Sequence, residues 1–592
     1  MSAGATRGPN FAVLVGLAWL FIAADLIIKN WTATGLTLSD TDDAMRLVQM
    51  RDFLAGQGWF DLREPRLGPT LGYESHWSRL IDAGLAGLFV LFHQFVDAAL
   101  AERLMRVVWP VLWLLPAFVS VAAIAWRLAG RDAAVVSLLM AVVGLPAFQQ
   151  FLPGRIDHHN IQITLALATL AATVWSDRVR WAAAAAGALT GLALAIGLES
   201  LVFLVLCGAA FALRYAADRN AARALAHYGL ALAVSTAAAF FVTVGPDHWT
   251  HSVCDAIAIN WGAPIVTAGL LMGFAGHAVA SERRMVRVST IAAIAGIAAA
   301  MFVAFEPRCL GGPYAMMDPA LRAIWFAHVS EMQPLPSVFR GSPVVGAAVA
   351  AFPAVALLAT LVLVRERALR HDFGFLLVAA ELAVACVLTV AVAKMCMYAM
   401  WLGMAPVAVL CLRLFARLRL ENLAARAFAA MLLTPAVLSA GASAAVQAAG
   451  SAPLEERDSR VLGGCFKIQN YAQLARLPKG VVATEIDFGS FVLALTPHSV
   501  LAGPYHRLAA GIIAAHEAFA LPPEEARKIL ARFGTSYMVT CGRRAPPGLT
   551  DAQREASLWG RLQAGAVPPW LERVPAAPDE VFEVYRVKGR AP

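Results

Sequence analysis

Along most of the chain, apolar residues run on without the alternation of a strand or the polar face of a surface helix. Runs of this kind, about 15–22 residues long and closed by arginines or loop residues, predict membrane-spanning helices. The first covers Phe11–Ile28, with Arg7 before it and no small-residue cleavage site after it, so it reads as a retained helix and not a removed signal peptide. Further runs lie at 107–126, 134–150, 161–175, 182–196, 200–216, 228–245, 263–280, 289–305, 343–364, 373–391, 397–412 and 427–447. If the chain crosses at each run, one set of loops collects Arg127, Arg131, Arg178, Arg180, Arg214, Arg219, Arg223, Arg283, Arg284, Arg287, Arg365, Arg367, Arg370, Arg413, Arg417, Arg419 and Arg426. Positive charge resists translocation, so that set is cytoplasmic. The expectation is about thirteen spans, with the N-terminus inside and the C-terminus outside.

One apolar run, 80–97, does not fit as a span, because crossing there would put every later arginine outside. With His93, Gln94 and Asp97 near its end, it reads as an interfacial or re-entrant helix within the first outer loop. The outer segments are then 30–106, 151–160, 246–262, 306–342 and 448–592.

The pattern changes at the last of these. Charge content becomes ordinary and no run reaches spanning length. Strand-like stretches at Val481–Ile486, Ser490–Leu495, Ser536–Thr540 and Val581–Val587 alternate with helical ones at Leu508–Phe519, Pro523–Arg532 and Asp551–Gln563. Pro522 and Pro523 with Glu524 and Glu525 mark a helix start, and Gly534 a stop. The fold class is therefore an α-helical polytopic membrane protein over 1–447, followed by a small α/β domain outside the membrane over 448–592.

Composition agrees. Of 592 residues 59% are hydrophobic and 15% charged, against about a quarter charged in soluble domains. A disordered chain and a soluble protein are both excluded. The formal charge of +8 is accounted for by loop arginines and does not point to nucleic acid. Eight cysteines without a CxxC pair are not a disulfide framework. Cys254, Cys309, Cys465 and Cys541 fall in outer segments, where Cys254 can pair with Cys309 and Cys465 with Cys541.

Polar residues beside membrane helices are costly, which makes the exceptions informative. Ser39-Asp40-Thr41-Asp42-Asp43, followed by Arg46, places three carboxylates in four residues. Their repulsion is relieved by a hard divalent cation with oxygen ligands, or they cap the helix Ala44–Leu54. Gly154-Arg155-Ile156-Asp157-His158-His159 crowds titratable groups into a short loop, where Asp157 with a histidine can ligate a metal and Arg155 can meet phosphate. Trp325-Phe326-Ala327-His328-Val329-Ser330-Glu331 isolates one acid among apolar residues. Lys394 either neutralises a phosphate or snorkels to the interface, and Glu199 in its tight turn is a candidate helix cap. Tyr73, His76, Trp77 and Arg79, and the later Tyr505-His506-Arg507, are candidate headgroup or sugar contacts. Asp247, His248 and His251 are weaker metal candidates. The chain has no GxxxxGK[ST] loop, HExxH or GxSxG elbow, so nucleotide-driven or serine-hydrolase chemistry has no recognisable site.

Taken in order, the three clusters resemble the GT-C superfamily of membrane glycosyltransferases, and most of all the catalytic subunits of oligosaccharyltransferases. In those, an acidic residue in the first outer loop is followed six positions later by Arg, as Asp40 and Arg46 are here. The second outer loop carries a D-x-D or D-x-H motif, matched by Asp157-His158-His159. The fifth carries S-V-S-E, matched by His328-Val329-Ser330-Glu331 except for its first residue. The match covers roughly 10–450.

The resemblance implies that Asp40, Asp157 and His159 hold Mg²⁺ or Mn²⁺ near the phosphate of a lipid-linked sugar donor. Arg155 and Lys394 would bind that phosphate, and Asp40, Asp42 and Glu331 would serve catalysis. Asp43, Arg46, His76, Trp77, Arg79, His158, His328 and His506 would contact substrate. It further implies transfer of a sugar or glycan from a polyprenyl-phosphate carrier on the periplasmic face of a bacterial inner membrane. One departure matters. The W-W-D-Y-G motif that reads Asn-x-Ser/Thr sequons is missing, for Trp559 and Trp570 are the tryptophans of 448–592 and are not adjacent. A lipid or glycan acceptor is thus favoured over a sequon. The alternative is a transporter or flippase of a lipid-linked sugar. Against it stand acids placed at the ends of spans instead of the bilayer midplane, and no visible repeat.

Overall fold

The computed structural model describes residues 10–279, 281–450, 463–542, 545–575 and 581–589. Continuous apolar sequence becomes helix because in lipid only intrahelical hydrogen bonds satisfy the backbone. Among the described residues, eight helices are long and apolar enough to cross a membrane: Phe11–Leu36, Ala98–Ala129, Arg219–Thr243, Ile259–Ala278, Arg284–Phe305, Pro343–Leu363, Phe373–Ala391 and Ala393–Arg417. The chain is an integral membrane protein.

Two expected spans are broken. The run at 134–150 is a helix at Arg131–Val142 bent by 71° into a tighter turn at Leu145–Phe151, and that at 427–447 bends by 54° between Leu423–Met431 and Pro435–Ala448. Pro146 and Pro435 open the second halves, and a proline cannot continue the helix before it. Counting each bent pair as one span gives up to ten. The runs at 161–175, 182–196 and 200–216 are occupied by His159–Trp175, Ala182–Ile196 and Leu201–Ala217, of 17, 15 and 17 residues. Thirteen is reached only if both bent pairs and these three shorter helices all cross. The interfacial element is a helix at Arg79–His93, and Asp97 caps the next helix through Leu100 N at 3.0 Å.

Arginines expected in the loops tie helix ends together. Arg127 meets Asp177 at 2.7 Å and Asp372 at 3.0 Å. The bundle core centres on Trp401, fully buried among Phe118, Phe148 and Phe151.

At one end of the bundle sits a five-stranded sheet. Its strands are β1 (Val481–Thr484), β2 (Ser499–Val500), β3 (Thr535–Cys541), β4 (Leu571–Arg573) and β5 (Phe582–Val587), in the order β2-β1-β3-β5-β4. β1 is parallel to β2 and β3, whereas β5 is antiparallel to β3 and β4. The stretch expected as a strand at Ser490–Leu495 is instead a helix, Gly489–Leu495. It is buried almost throughout, and a run hidden on every face has no period from which to tell helix from strand. The expected helix Asp551–Gln563 is split into Asp551–Ala556 and Leu558–Gln563, each capped by a hydroxyl, Thr550 and Ser557.

The long connection between the first two membrane helices interlocks with this sheet. Val500 N donates to Arg66 O and Gly68 N to Val500 O, both at 2.8 Å, so that residues 66–68 extend the β2 edge. Arg51 reaches Ala494 O at 2.6 Å. Disulfides join Cys254 to Cys309 and Cys465 to Cys541.

Candidate active site

Asp40 ends the extended segment after the first helix and caps Thr41–Leu54. Its Oδ1 accepts from Asp42 N at 2.9 Å and Asp43 N at 3.1 Å. Its other oxygen is free to turn outward, and it pairs with Arg155. Asp43, 2% exposed, faces the opposite wall: its Oδ1 accepts from Ile156 N (2.6 Å) and Asp157 N (3.1 Å). A helix start thus carries the first acidic cluster straight onto the backbone of the second. Arg155 reaches Asp43 Oδ2 (3.1 Å), Asp157 Oδ2 (2.7 Å) and Gln150 Oε1 (2.7 Å).

The oxygens of Asp40, Asp43 and Asp157 lie within 4.8 Å of one another. Burial raises the Asp157 carboxyl, but Arg155 and the imidazoles of His159 and His158 outweigh it and hold the group well below the ordinary range. Asp43 is pushed well above that range by burial and by Asp157. Asp42 is lifted to about 7 by burial and then by the charges of Glu331 and Asp157. A carboxylate set crowded in this way lowers its repulsion by binding a cation. The buried Asp43 Oδ2 has the ion pair with Arg155 at 3.1 Å as its contact and no well-aligned hydrogen bond among the described residues. Oxygen donors of this type fit a hard divalent ion such as Mg²⁺ or Mn²⁺.

His159 lies beside this cluster and is engaged elsewhere. Its Nδ1 is 2.8 Å from Glu199 Oε2, its Nε2 is 3.0 Å from Lys394 Nζ, and 3.9 Å separates it from Asp157 Oδ2. Lys394 also meets Glu199 at 3.1 Å and Glu331 at 3.4 Å. Tyr398 donates to the second Glu199 oxygen at 3.0 Å. Burial works against the Glu199 charge, but Lys394 and His159 hold its carboxyl well below the ordinary range. His158, His159 and Glu199 form a second group whose ligand atoms lie within 4.8 Å.

The sequence candidates therefore separate in space into four groups. Asp40, Asp42, Asp43, Arg155, Asp157, His158, His159, Glu331 and Lys394 come together through the contacts above. Trp77 adjoins them, its ring 5.8 Å from His158.

Arg46 and Arg79 lie apart, both buried and both on Asp82, at 2.7 and 3.0 Å. They brace the helix Arg79–His93, and Arg46 stacks over Trp77 at 4.7 Å. His76 and His506 belong to a neighbouring knot around Asp255, which holds His506 at 2.7 Å and Arg507 at 2.7 Å. His328 turns to Ala323 O at 3.1 Å. Two residues were not legible as members, Glu199 and Asp255. An acid flanked by apolar runs was the available signal for Glu199; for Asp255, adjacent to Cys254, there was none.

No protein-family model matches the chain, and no curated protein matches it by sequence. Solved structures do match. The archaeal oligosaccharyltransferase AglB from Archaeoglobus fulgidus, in complex with an inhibitory peptide and a dolichol-phosphate, superposes with a TM-score of 0.67 at 12% identity, over 98% of this chain and 75% of that one. An Archaeoglobus fulgidus oligosaccharyltransferase tethered to an NVT-sequon acceptor peptide gives 0.64 at 13% identity, over 90% and 69%. One in complex with Zn and sulfate gives 0.57 at 12%, over 89% and 67%. The fold is that of the GT-C glycosyltransferases. The likeness runs through the helical bundle and the C-terminal sheet alike, since it spans nearly the whole chain.

Proposed function

We propose that this GT-C chain is a membrane glycosyltransferase that takes a sugar or glycan from a polyprenyl-phosphate-linked donor. The observation that carries the reading is the meeting of Asp40, Asp43 and Asp157 with the Lys394–Glu199–His159 cluster at the ends of apolar helices. A donor with a lipid tail and a phosphate head needs such a junction. The tail requires an apolar groove, and the head requires fixed charge at its mouth. The relatives solved with dolichol-phosphate and with Zn and sulfate support a lipid-phosphate donor and a divalent metal.

In this reading Asp40, Asp43 and Asp157 hold Mg²⁺ or Mn²⁺, with His159 at the edge of the set. A bound metal would supply charge stabilisation to the leaving phosphate. Lys394 and Arg155 bind the phosphate oxygens, Lys394 as the point charge nearest His159 and Glu331. Asp42 has its carboxyl near 7 and accepts the acceptor's proton. Glu331 and His158 line the acceptor side with Trp77. Residues 1–447 form the membrane part, 448–592 the domain outside it. The arginine distribution supports a cytoplasmic N-terminus and a site on the periplasmic face of a bacterial inner membrane. The unpaired tryptophans of the C-terminal domain support a lipid or glycan acceptor over a sequon. Nothing in the geometry favours a flippase.

The test is incubation of the purified protein with labelled polyprenyl-linked sugars, with and without EDTA. The expected result is product that EDTA removes. Alanine at Asp40, Asp157 or Glu331 should lower the rate by about a hundredfold or more in protein that still elutes as a folded monodisperse peak. Full activity in all three variants, or movement of the donor across a bilayer without cleavage, would overturn the reading.

A further inference from the structure

Outside the carboxylate cluster, three metal-ligating side chains converge from distant parts of the chain. His76 belongs to the connection between the first two membrane helices, Asp255 to the loop before the helix Ile259–Ala278, and His506 to the C-terminal domain. His506 Nε2 lies 2.7 Å and His76 Nδ1 3.9 Å from the same oxygen, Asp255 Oδ2. The two imidazole rings are 5.0 Å apart. One ligand atom from each residue falls within 4.8 Å of the others.

The bonds around Asp255 account for His506 and Arg507 but leave His76 over. Its Nδ1 is buried and has no hydrogen bond among the described residues. A separation of 3.9 Å from the carboxylate is too long for a hydrogen bond. It suits two ligands of one ion, because atoms that each sit 2.0–2.2 Å from Zn²⁺ lie roughly 3–4 Å apart. A buried ring nitrogen left unpaired is costly, and an ion at this point would use its lone pair.

The donor set selects the ion. The carboxylate cluster offers oxygens, which suit Mg²⁺ or Mn²⁺, whereas imidazole suits Zn²⁺ and its transition-metal neighbours. Two imidazoles with one carboxylate hold Zn²⁺ and leave a fourth position for water.

The surroundings fix the ligands in place. Arg507 donates to both oxygens of Asp255 at 2.7 and 2.9 Å, as partners that orient a ligating carboxylate do. Cys254, next in the chain to Asp255, is tied to Cys309. The Trp77 ring stands 6.2 Å from His76, and the Tyr314 ring 5.2 Å from His506. His76, Asp255 and His506 keep side-chain exposures of 18, 9 and 11%, which leaves an ion a way in from solvent.

We propose that His76, Asp255 and His506 bind one Zn²⁺-type transition-metal ion that clips the C-terminal domain to the membrane part. The site is separate from the carboxylate cluster, and the proposal does not rest on the transferase reading.

The test uses full-length protein in detergent, stripped with EDTA and titrated with Co²⁺ and then Zn²⁺ in excess Mg²⁺. Wild type should bind a Co²⁺ ion with the strong visible bands of a low-coordinate, imidazole-bound ion, and Zn²⁺ should displace it. Zn²⁺ should also raise the thermal midpoint, because the ion binds the folded state. His76→Phe keeps a ring and removes the donor. It should hold the wild-type midpoint in EDTA, lose the rise with Zn²⁺, and bind Co²⁺ about a hundredfold or more weaker. His506→Gln, which can still donate to Asp255, should lose the bands and the rise as well. Asp157→Ala and His159→Ala should keep both.

Equal Co²⁺ binding by wild type and the two variants at His76 and His506 would overturn the site. So would loss of the bands in Asp157→Ala or His159→Ala, or no such ion on wild type. An ion that binds through His76 and leaves the midpoint unchanged would overturn the clip.

Discussion

Asp255 shows how much one side chain holds at the junction of the two parts. It is 9% exposed at the side chain and accepts from His506 at 2.7 Å and from Arg507 at 2.7 and 2.9 Å. Burial opposes its charge, but His506 and Arg507 hold its carboxyl far below the usual 3.8. A depressed carboxyl contributes stability that is complete above the unfolded value and is lost as pH falls through the folded one. Asp255→Asn should therefore destabilise the protein at pH 7 by about 3 kcal/mol, the usual cost of breaking a buried ion pair. The gap should be complete above about pH 4 and narrow progressively below it, as pH falls toward the depressed folded value. Thermal midpoints measured from pH 7 downward would show this, and a constant gap would refute it. Asp40 and Asp157 were legible because each announces itself locally, as a run of acids and as a dense polar turn. Glu199 and Asp255 draw their meaning from partners 195 and 251 positions away, and no short stretch of sequence carries that information.

Among the elements, the helices Ala182–Ile196 and Ala222–Thr243 approach so closely that a Cβ on Gly187 would stand 2.3 Å from Tyr228 O, and one on Gly191 2.1 Å from Ser235 Oγ. Gly187 and Gly191 are one turn apart on the same face, the small-xxx-small arrangement that lets membrane helices touch through their backbones. Gly187→Leu should force the pair apart, with a loss of roughly 2–4 kcal/mol and a lower thermal midpoint in detergent. An unchanged midpoint would show that the backbones can separate freely. Hydropathy placed these helices well because lipid imposes one rule on every exposed residue. It placed their ends less well, since a proline such as Pro435 bends a run without changing its apolar character. Inside the sheet domain the rule fails altogether at Gly489–Leu495, where burial on all sides erases periodicity.

For the whole molecule, the decisive contacts are those between the C-terminal domain and the connection 37–97. Strand β2 pairs with residues 66–68, Arg51 seizes Ala494 O, and Tyr505 reaches Thr41 O. Tyr505 is 3% exposed and its hydroxyl also bonds Ser490 at 2.8 Å. Tyr505→Phe removes those bonds and keeps the ring against Trp77. On the transferase reading proposed above, transfer should fall by roughly tenfold with little change in donor affinity, because the peptide carrying Asp40 and Asp42 loses its prop. A rate equal to wild type would mean the prop is dispensable. The two-part division was plain from composition, but the interlocking was not. Each half reads as complete on its own, and the bonds that join them are mostly to backbone atoms, which any sequence supplies.

The bond from Tyr505 to Thr41 spans 464 positions. A ribosome at about 5–20 residues per second emits the acidic cluster early and its support roughly half a minute or more later. Until then the cluster waits at the membrane without its buttress. The acidic peptide thus gains its support late in biogenesis, only once the C-terminal sheet domain has folded and docked.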